Sequence, residues 1–374
     1  MTLADFWFIL IAVLWIGYFV LEGFDFGVGI LLPVIGRTDA ERRTMINAIG
    51  PVWDGNEVWL LTAGGATFAA FPLWYATLFS GFYLALLIIL LALIVRGVAF
   101  EFRSKVDDPR WRARWDVAIV VGSALPALLW GVAFGNIVRG VPVNADGVFT
   151  GNLLTLLNPY ALLGGLTTLT LFALHGAVFL GLKTTGDLRD RARTAGTRIA
   201  IAAVPIAAAF LLVSQIARGK AWTDLTAAIA AVALLAGVGM MFRKREGLAF
   251  AGLAVTLLLA VVTLFGDLFP NVLPSSTDPA YSLTVANASS AHYTLVVMTW
   301  VALIFTPVVL AYQAWSYWVF RKRLRVSDFS VSSAGAVIVP GGKDAGPRPG
   351  ASGPGPRPGG PSTPTGSRNR PATS

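Results

Sequence analysis

Cysteine is absent from this sequence of 374 residues, and histidine occurs only twice. The chain therefore cannot form a disulfide, a thiolate metal site or an iron–sulfur cluster of its own. Charged residues are also scarce, at 13% of the chain, against about 25% in an average soluble domain. A chain of this length with so few charges lacks the polar surface that a soluble globular enzyme or a disordered protein needs.

Hydrophobic residues make up 55% of the chain and are concentrated in long runs. A helix that crosses a hydrocarbon core needs about 20 mostly apolar residues. Runs of this length lie at 6–33, 52–74, 78–100, 116–139, 159–182, 197–217, 222–242, 248–270 and 292–320. The sequence predicts an all-α integral membrane protein with nine transmembrane helices. The second run is the least regular, and its short connection to the third, at 74–78, predicts that these two helices pack as antiparallel neighbours.

Basic residues are distributed unevenly among the connections between these spans. Clusters of lysine and arginine follow the odd-numbered spans, at 37–43, 103–114, 183–193, 243–245 and 321–325. The alternate connections carry few basic residues. Because cytoplasmic loops are enriched in lysine and arginine, the pattern predicts an N-terminus outside and a C-terminus in the cytoplasm. The net charge of +9 is explained by this orientation and does not indicate nucleic-acid binding.

The composition changes sharply near the C-terminus. Residues 326–374 are rich in proline, glycine and serine, and such a segment cannot bury a hydrophobic core. We expect a transmembrane domain over 1–325 followed by a disordered cytoplasmic tail. The tail is interpreted as passive, with binding to anionic lipids through its arginines as the alternative.

Ionisable residues inside a membrane span are costly, and each is therefore a candidate for function. Glu22 and Asp25 lie well inside the first span, and their spacing of three places them on one face of the helix. Gly23, Gly27 and Gly29 surround them, and small residues allow a neighbouring helix to approach closely. The pairs Gly64–Gly65 and Gly164–Gly165 are interpreted in the same way, as sites of close helix packing.

Asp54, Glu57 and Arg96 are predicted to lie at the same depth as Glu22 and Asp25. Asp54 and Glu57 are in the first turns of the second span, and Arg96 is near the inner end of the third. Acids packed around one base have coupled protonation states, and such a group can conduct protons from the cytoplasm. Two alternatives remain: Asp54 and Glu57 cap the helix, or Arg96 forms a structural ion pair with one acid.

The two histidines limit the case for a haem. His175 lies in the inner half of the fifth span and His292 at the outer edge of the ninth, so they cannot bind one haem together. Ligation by His175 with a methionine is the alternative to a histidine that simply packs against its neighbours. No metal site is predicted.

Two stretches resemble subunit II of the cytochrome bd quinol oxidases. Glu22-Gly23-Phe24-Asp25-Phe26-Gly27-Val28-Gly29 is similar to that family's first-helix signature. The run from Arg42 to Leu60, with Gly50-Pro51-Val52-Trp53-Asp54-Gly55-Asn56-Glu57-Val58-Trp59 at its centre, resembles its most recognisable stretch. Shorter matches lie at 102–105, 131–136, 274–276 and 298–300. The resemblance covers about 1–325 and excludes the tail.

The resemblance implies two four-helix bundles with one peripheral helix, which agrees with nine spans. It also implies a complex in the bacterial plasma membrane with a related subunit I, which would hold haem b558, haem b595 and haem d. Such a complex oxidises quinol, reduces O₂ to water and takes protons from inside without pumping. Some members hold a structural quinone in subunit II, which this sequence does not locate, and small single-helix accessory subunits occur in the family.

The resemblance also implies roles for individual residues. Asp54 matches an acid of a proton pathway, with Trp53 beside it, and Glu22 and Asp25 match the acidic pair of the first helix. Arg96 matches a basic residue near this path. The proton-pathway residues are thus Glu22, Asp25, Trp53, Asp54, Glu57 and Arg96, while Trp59 matches an aromatic residue near a hydrophobic O₂ route.

Two other functions compete with this interpretation. Intramembrane acids and glycines suit a proton-coupled secondary transporter equally well, although transporters typically show inverted repeats and broken helices. A haem-carrying cytochrome subunit is the other alternative, and the small number of haem ligands weakens it.

Overall fold

A computed structural model of the chain describes residues 1–329. Its α-helices, in chain order, are α1 (Leu3–Ile30), α2 (Leu32–Ile35), α3 (Asp39–Ile49), α4 (Trp53–Ala70), α5 (Pro72–Gly81), α6 (Tyr83–Phe102), α7 (Pro109–Arg139), α8 (Leu153–Leu156), α9 (Pro159–Lys183), α10 (Gly186–Arg218), α11 (Ala221–Phe242), α12 (Glu246–Leu268), α13 (Val285–Ala288) and α14 (His292–Val319). Strands β1 (Asn271–Leu273) and β2 (Leu283–Thr284) form an antiparallel hairpin, with 3-10 turns at Pro279–Tyr281 and Val326–Asp328. The helical fold class is confirmed. The predicted disordered tail begins at 326, but Val326–Asp328 form a 3-10 turn, so the boundary was placed too early. Residues 330–374 of the predicted tail lie outside the described residues.

Polar caps and prolines define where several helices begin. The hydroxyl of Thr2 accepts the backbone N–H of Asp5, whose carboxylate in turn accepts the backbone N–H of Thr2. This capping box satisfies two backbone donors at the start of α1. Proline occupies the first position of three other helices, where its missing N–H costs nothing: Pro72 of α5, Pro109 of α7 and Pro159 of α9.

Within residues 1–329, eight helices are long and apolar enough to cross a membrane: α1, α6, α7, α9, α10, α11, α12 and α14. They coincide with eight of the nine predicted spans. The exception is α4, which has 18 residues but carries Asp54, Asn56 and Glu57 in its first turns. The ninth crossing and the orientation of the chain remain predictions.

The connection after α4 differs from the prediction. We expected the chain to turn at 74–78, but α4 already ends at Ala70 and α5 begins at Pro72. Proline disfavours a helical conformation in the residue before it, and Phe71 is accordingly non-helical, with φ −136° and ψ 68°. The extra helix α5 lies between α4 and α6 in the chain, but the two longer helices remain neighbours, with the rings of Trp53 and Phe100 5.1 Å apart.

The long helices group into two bundles. The first contains α1, α4, α6 and α7, and the second contains α9, α10, α11 and α12. Helices α1, α7 and α9 pack against one another and join the bundles. Helix α14 lies against α1 and α4, and Leu295 is its only buried residue among those described. This grouping agrees with the expectation of two bundles and one peripheral helix.

Glycines permit the closest helix contacts. A Cβ at Gly27 of α1 would lie 1.9 Å from the carbonyl oxygen of Phe172 and 2.8 Å from Cα of Gly176, both in α9. Gly164 meets Gly131 of α7 in the same way. The expectation of close packing is confirmed at these positions. It is wrong for Gly64–Gly65, where a Cβ would meet nothing within 4 Å among the described residues.

One end of the bundles, here called the Arg-rich end, consists of the connections 31–52, 103–108, 184–185, 243–245 and 320–329. Ion pairs join these connections to one another. Arg103 contacts Asp39 of α3 at 2.8 Å and Asp116 of α7 at 2.5 Å, and Arg191 of α10 contacts Glu41 of α3 at 2.5 Å. The basic clusters therefore lie together, as the positive-inside pattern predicts.

Asp39 and Glu41 of α3 are adapted to these arginines. Partial burial raises the pKa of Asp39, but the hydrogen bond and charge of Arg103, together with Arg112, outweigh burial and leave that pKa below its ordinary value. Partial burial likewise raises the pKa of Glu41, and the hydrogen bond from Arg191 reverses the shift. Both carboxylates are therefore ionised at neutral pH. Their ion pairs with Arg103 and Arg191 hold α3 against the ends of α6 and α10.

The opposite end is closed by the hairpin and by loop contacts. Val141 pairs with Ser275 beside the hairpin, and the backbone N–H of Ser290 donates to the carbonyl of Ala70 at 2.8 Å. Thr77 donates to the carbonyl of Gly147 at 2.6 Å. These bonds hold the ends of the helices together on the side away from the acids of the first bundle.

Candidate functional site

The candidate site lies in the first bundle, towards the Arg-rich end. Four polar or charged residues of this site are fully buried in the chain: Glu22 and Asp25 of α1, Asn56 of α4 and Arg96 of α6. Fully buried charged side chains are rare unless they are paired. The spacing and depth arguments from the sequence are thus confirmed for Glu22, Asp25 and Arg96, which the fold brings into one cluster.

Glu22 and Arg96 form a buried ion pair. Oε1 of Glu22 accepts a hydrogen bond from Nη1 of Arg96. The guanidinium carbon lies 4.7 Å from the ring centroid of Phe26 and 5.4 Å from that of Phe100. Each charge compensates the other in a region that offers little water. The sequence alternative of an ion pair between Arg96 and one acid is therefore realised, with Glu22 as the partner.

Asp25 faces α4 rather than the guanidinium. Its Oδ2 accepts a hydrogen bond of 2.7 Å from Nδ2 of Asn56. Its Oδ1 is buried and has no partner among the described residues. Asp25 and Glu22 are close enough for each to alter the charge state of the other. The pair therefore forms one electrostatic unit with Arg96.

Several polar atoms of the cluster lack partners in the described part of the chain. They are Oε2 of Glu22, Oδ1 of Asp25, Nε and Nη2 of Arg96, and Oγ of Ser123 in α7. Buried polar atoms in proteins almost always bind a protein group or an ordered water. A group with this many free donors and acceptors is suited to hold water molecules, and water is the usual carrier of protons between side chains.

Glu57 and Asp54 lie on the route from the cluster to the surface of the chain. Glu57 is half-buried and interacts electrostatically with Arg96 and with Asp54. Asp54 is exposed, and its Oδ1 accepts only the neighbouring N–H of Gly55, at 2.8 Å. The N-cap of α4 is Val52, which makes no side-chain cap. The alternative of Asp54 as an N-cap is therefore wrong.

The two tryptophans of α4 occupy different places. The ring of Trp53 packs 5.1 Å from that of Phe100 and forms no described hydrogen bond to Asp54. Trp59 lies over Gly17 of α1, and its Nε1 donates at 2.8 Å to Oε1 of Gln313 in α14. Trp53 therefore covers α6 near Arg96, whereas Trp59 connects α4 with the peripheral helix.

Helix α14 contributes two site residues that the sequence analysis did not identify. Oδ1 of Asn56 accepts hydrogen bonds from Tyr317, at 2.8 Å, and from Nε2 of Gln313, at 3.2 Å. Gln313 and Tyr317 are four residues apart and so share one helix face. Their spacing of four was the available signal, but other polar residues of α14, such as Tyr312 and Ser316, made it unspecific. Asn56 lay inside the quoted motif, but nothing in the sequence indicated its burial.

His175 does not have the surroundings of a haem ligand. It is fully buried, its Nε2 lies 3.2 Å from the carbonyl oxygen of Val20, and its ring stacks on Phe250 at 4.5 Å. His292 starts α14 and is exposed. Within residues 1–329, no group of three or more histidine, cysteine or acidic side chains is arranged to bind a metal. The residues present do not fit an axial haem ligand pair.

An apolar groove of about 470 Å³ separates α4 from α6. The residues along it include Leu61, Gly64, Phe68, Trp74, Leu86 and Leu90. Nε1 of Trp74 is buried and has no partner among the described residues. The groove thus has apolar walls, which suit the hydrocarbon part of a lipid-like molecule.

Comparison with known proteins gives the decisive observation. The family model described as cytochrome bd terminal oxidase subunit II matches residues 3–320. The chain belongs to this family. It is therefore a multi-pass membrane protein of an oxidoreductase complex, a terminal oxidase of the respiratory chain, and the resemblance noted in the sequence is confirmed.

Individual relatives agree with the assignment to cytochrome bd subunit II. The chain is 46% identical over 329 residues to cytochrome bd ubiquinol oxidase subunit 2 of Bacillus subtilis (strain 168), covering 86% of this chain and 97% of that protein. It is 40% identical over 360 residues to cytochrome bd-I ubiquinol oxidase subunit 2 of Escherichia coli (strain K12), covering 86% and 95%. These relatives do not favour the transporter alternative.

A solved structure supports the fold. The structure of bd oxidase from Geobacillus thermodenitrificans contains a chain that superposes with a TM-score of 0.70, covering 85% of this chain and 97% of that chain. The sequence identity is 19%, so this likeness concerns the fold alone. This chain thus has the helix arrangement of a chain in a solved bd oxidase.

Proposed function

We propose that this chain is the non-haem subunit of a quinol:O₂ oxidoreductase in the bacterial plasma membrane. It would bind subunit I, support that subunit structurally, and provide a proton pathway from the cytoplasm for the reduction of O₂ to water. The observation that carries the proposal is the buried cluster of Glu22, Asp25 and Arg96, which has unpartnered polar atoms. Half-buried Glu57 interacts electrostatically with Arg96 and with exposed Asp54.

The cluster has the properties of a proton relay. Asp54 offers an entry point at the Arg-rich end, which the positive-inside rule assigns to the cytoplasm. Glu57 stands between Asp54 and the charge of Arg96. Glu22 and Asp25 then provide paired carboxylates whose charges depend on each other. Arg96 limits the cost of a negative charge on this pair, and Trp53 shields the arginine from the Arg-rich end.

The partner would supply the redox chemistry. The family places haem b558, haem b595 and haem d in subunit I, and these haems would carry electrons from quinol to O₂. The described residues of this chain offer no axial ligand pair for them. The apolar groove between α4 and α6 would accommodate the hydrocarbon tail of a structural quinone. Single-helix accessory subunits and membrane lipids are further expected partners.

Purification in mild detergent through a tag on the C-terminal tail tests the complex. We expect a larger partner to co-purify, with reduced b-type and d-type haem absorption bands, and an organic extract of the sample to contain quinone. The chain expressed without its partner should show no haem absorbance. A colourless protein purified alone, under conditions that preserve other membrane complexes, would contradict the proposed complex.

Neutral amide variants of the acids test the proton pathway. Asp25→Asn and Asp54→Asn should slow quinol-dependent O₂ consumption about tenfold or more, since a proton-transfer group typically contributes about 10²–10⁴ in rate. Haem content and complex assembly should stay normal. Asp146→Asn, in an exposed loop at the opposite end, is the matched control and should retain full turnover. Unchanged turnover in a haem-loaded Asp54→Asn or Asp25→Asn complex would remove that residue from the pathway.

A further inference from the structure

The peripheral helix α14 reaches the candidate site through a chain of directed hydrogen bonds. Nε1 of Trp59 donates to Oε1 of Gln313 at 2.8 Å, and Nε2 of Gln313 donates to Oδ1 of Asn56 at 3.2 Å. Nδ2 of Asn56 then donates to Oδ2 of Asp25 at 2.7 Å. Tyr317 adds a second donor to Oδ1 of Asn56, at 2.8 Å.

The direction of this chain is fixed by its first member. An indole N–H can only donate, whereas an amide side chain can present either its oxygen or its nitrogen to a neighbour. Because Trp59 donates, Gln313 must present its oxygen to Trp59 and its NH₂ group to Asn56. Reversing Gln313 would set two donors against each other.

Asn56 is thereby fixed in turn. Its oxygen accepts from Gln313 and Tyr317, so its NH₂ group must point towards α1. There it meets Oδ2 of Asp25 and, at 3.5 Å, the carbonyl oxygen of Leu21. A reversed Asn56 would place its oxygen against two acceptors. The orientation leaves Oδ2 of Asp25 as an acceptor and Oδ1 as the unpartnered oxygen.

We propose that Trp59, Gln313 and Tyr317 are positioning residues that act through Asn56 to direct the free oxygen of Asp25 into the proton pathway. This inference rests on the proposed function of Asp25. In this proposal the indole N–H of Trp59 in α4 orients the amide of Gln313 in α14. Gln313 and Tyr317 also have a common partner in Asn56, although α14 buries only Leu295 among its described residues.

Other groups also act on Asp25, and a pH profile reports on all of them. The titratable groups facing it or its helix are Glu22 of α1, Glu57 of α4, Arg96 of α6, Tyr317 of α14 and His175 of α9. Tyr317→Phe and Gln313→Leu leave the other four in place. Gln313→Leu alone leaves all five titratable groups in place, so a change in the profile of that single variant would originate in the hydrogen bonds of Gln313 to Asn56 and Trp59.

The test uses the purified holo-complex with the double variant Tyr317→Phe/Gln313→Leu. We expect normal haem content, about tenfold lower O₂ consumption, equal to ~1.4 kcal/mol in the barrier, and a displaced pH profile. The single Tyr317→Phe variant keeps the shape of the side chain and should show a smaller change of the same kind. Tyr312→Phe is the matched control, because Tyr312 lies on the same helix and is 67% exposed, and its hydroxyl has no hydrogen bond in the described part of the chain.

Combining the double variant with Asp25→Asn tests the positioning role separately from the proton pathway. If Asp25→Asn slows turnover and the double variant adds nothing in that background, the positioning role is supported. If Asp25→Asn slows turnover but the double variant behaves like Tyr312→Phe, the positioning role is overturned while the proton pathway stands. If Asp25→Asn has no effect, the pathway through Asp25 fails and the positioning role fails with it.

Discussion

Arg96→Met is expected to lower the free energy of unfolding of the purified complex by about 3–5 kcal/mol, because it leaves the carboxylate of Glu22 buried without a counter-charge. Both side chains of the pair are 0% exposed. Phe26 and Phe100 enclose the guanidinium, so water cannot readily replace it. The loss should appear as a lower temperature at which the complex releases haem or aggregates.

The double variant Arg96→Met/Glu22→Met gives the contrasting result. Replacing both members of a buried pair by apolar side chains is often neutral or stabilising, so much of the lost stability should return. Turnover should not return, because the carboxylate of Glu22 is gone. This combination distinguishes a structural ion pair from a proton-pathway residue, which a single substitution cannot do.

A surface pair provides the control for Arg96. Arg43 and Asp39 form an ion pair at 3.0 Å, with 31% and 38% of their side chains exposed. Pairs of this kind are worth about 0–1 kcal/mol, so Arg43→Met should change the unfolding temperature little. If Arg96→Met were no more destabilising than Arg43→Met, the predicted cost of removing the counter-charge of Glu22 would be wrong.

Much of the candidate site follows from simple regularities of helices. A spacing of three sets Glu22 and Asp25 on one face, and a fixed rise per residue gives the depth of Arg96 from the ends of its span. The spacing and the depth depend only on positions within one helix. They therefore change little when a predicted helix boundary is wrong by a few residues. The cluster of Glu22, Asp25 and Arg96 was therefore predictable before any tertiary contact was known.

The remainder depends on which helices touch. Whether Gly64–Gly65 meets another helix depends on the spacing of α4 and α6, which are separated by a groove at that level. The same holds for Asn56, whose burial is produced by α14, more than two hundred residues later in the chain. The local sequence pattern carries no information about such distant partners. The orientation of the Asn56 amide is fixed by Gln313, whose own orientation is fixed by the indole N–H of Trp59.

The ion pairs of the Arg-rich end illustrate the same limit. The basic clusters were visible in the sequence and correctly indicated a common end. Their acidic partners Asp39, Asp116 and Glu41 were not identified, because any loop acid is equally plausible until the helices are arranged. Once arranged, Asp39 and Asp116 both bind Arg103, which ties α3 and α7 to the end of α6.

Gly27→Ala is expected to be strongly destabilising, although it adds a single methyl group. The added Cβ would lie 1.9 Å from the carbonyl oxygen of Phe172 and 2.8 Å from Cα of Gly176. Both are backbone atoms, so no change of rotamer can relieve the overlap, and α1 must move away from α9. Overpacking typically costs about 1–3 kcal/mol and sometimes more, and we expect a value at or above the upper end here.

The displacement of α1 by Gly27→Ala should also disturb the proton pathway. Asp25 and Gly27 lie in the same turn of α1, so a displacement of α1 from α9 also moves Asp25 relative to Asn56. Gly27→Ala should therefore lower both the unfolding temperature and the turnover of the complex that survives. Gly239→Ala is the matched control, since its Cβ would meet nothing within 4 Å among the described residues and alanine favours helix formation. Equal behaviour of the two variants would show that α1 and α9 can separate freely, and the acids would then need another support to hold their geometry.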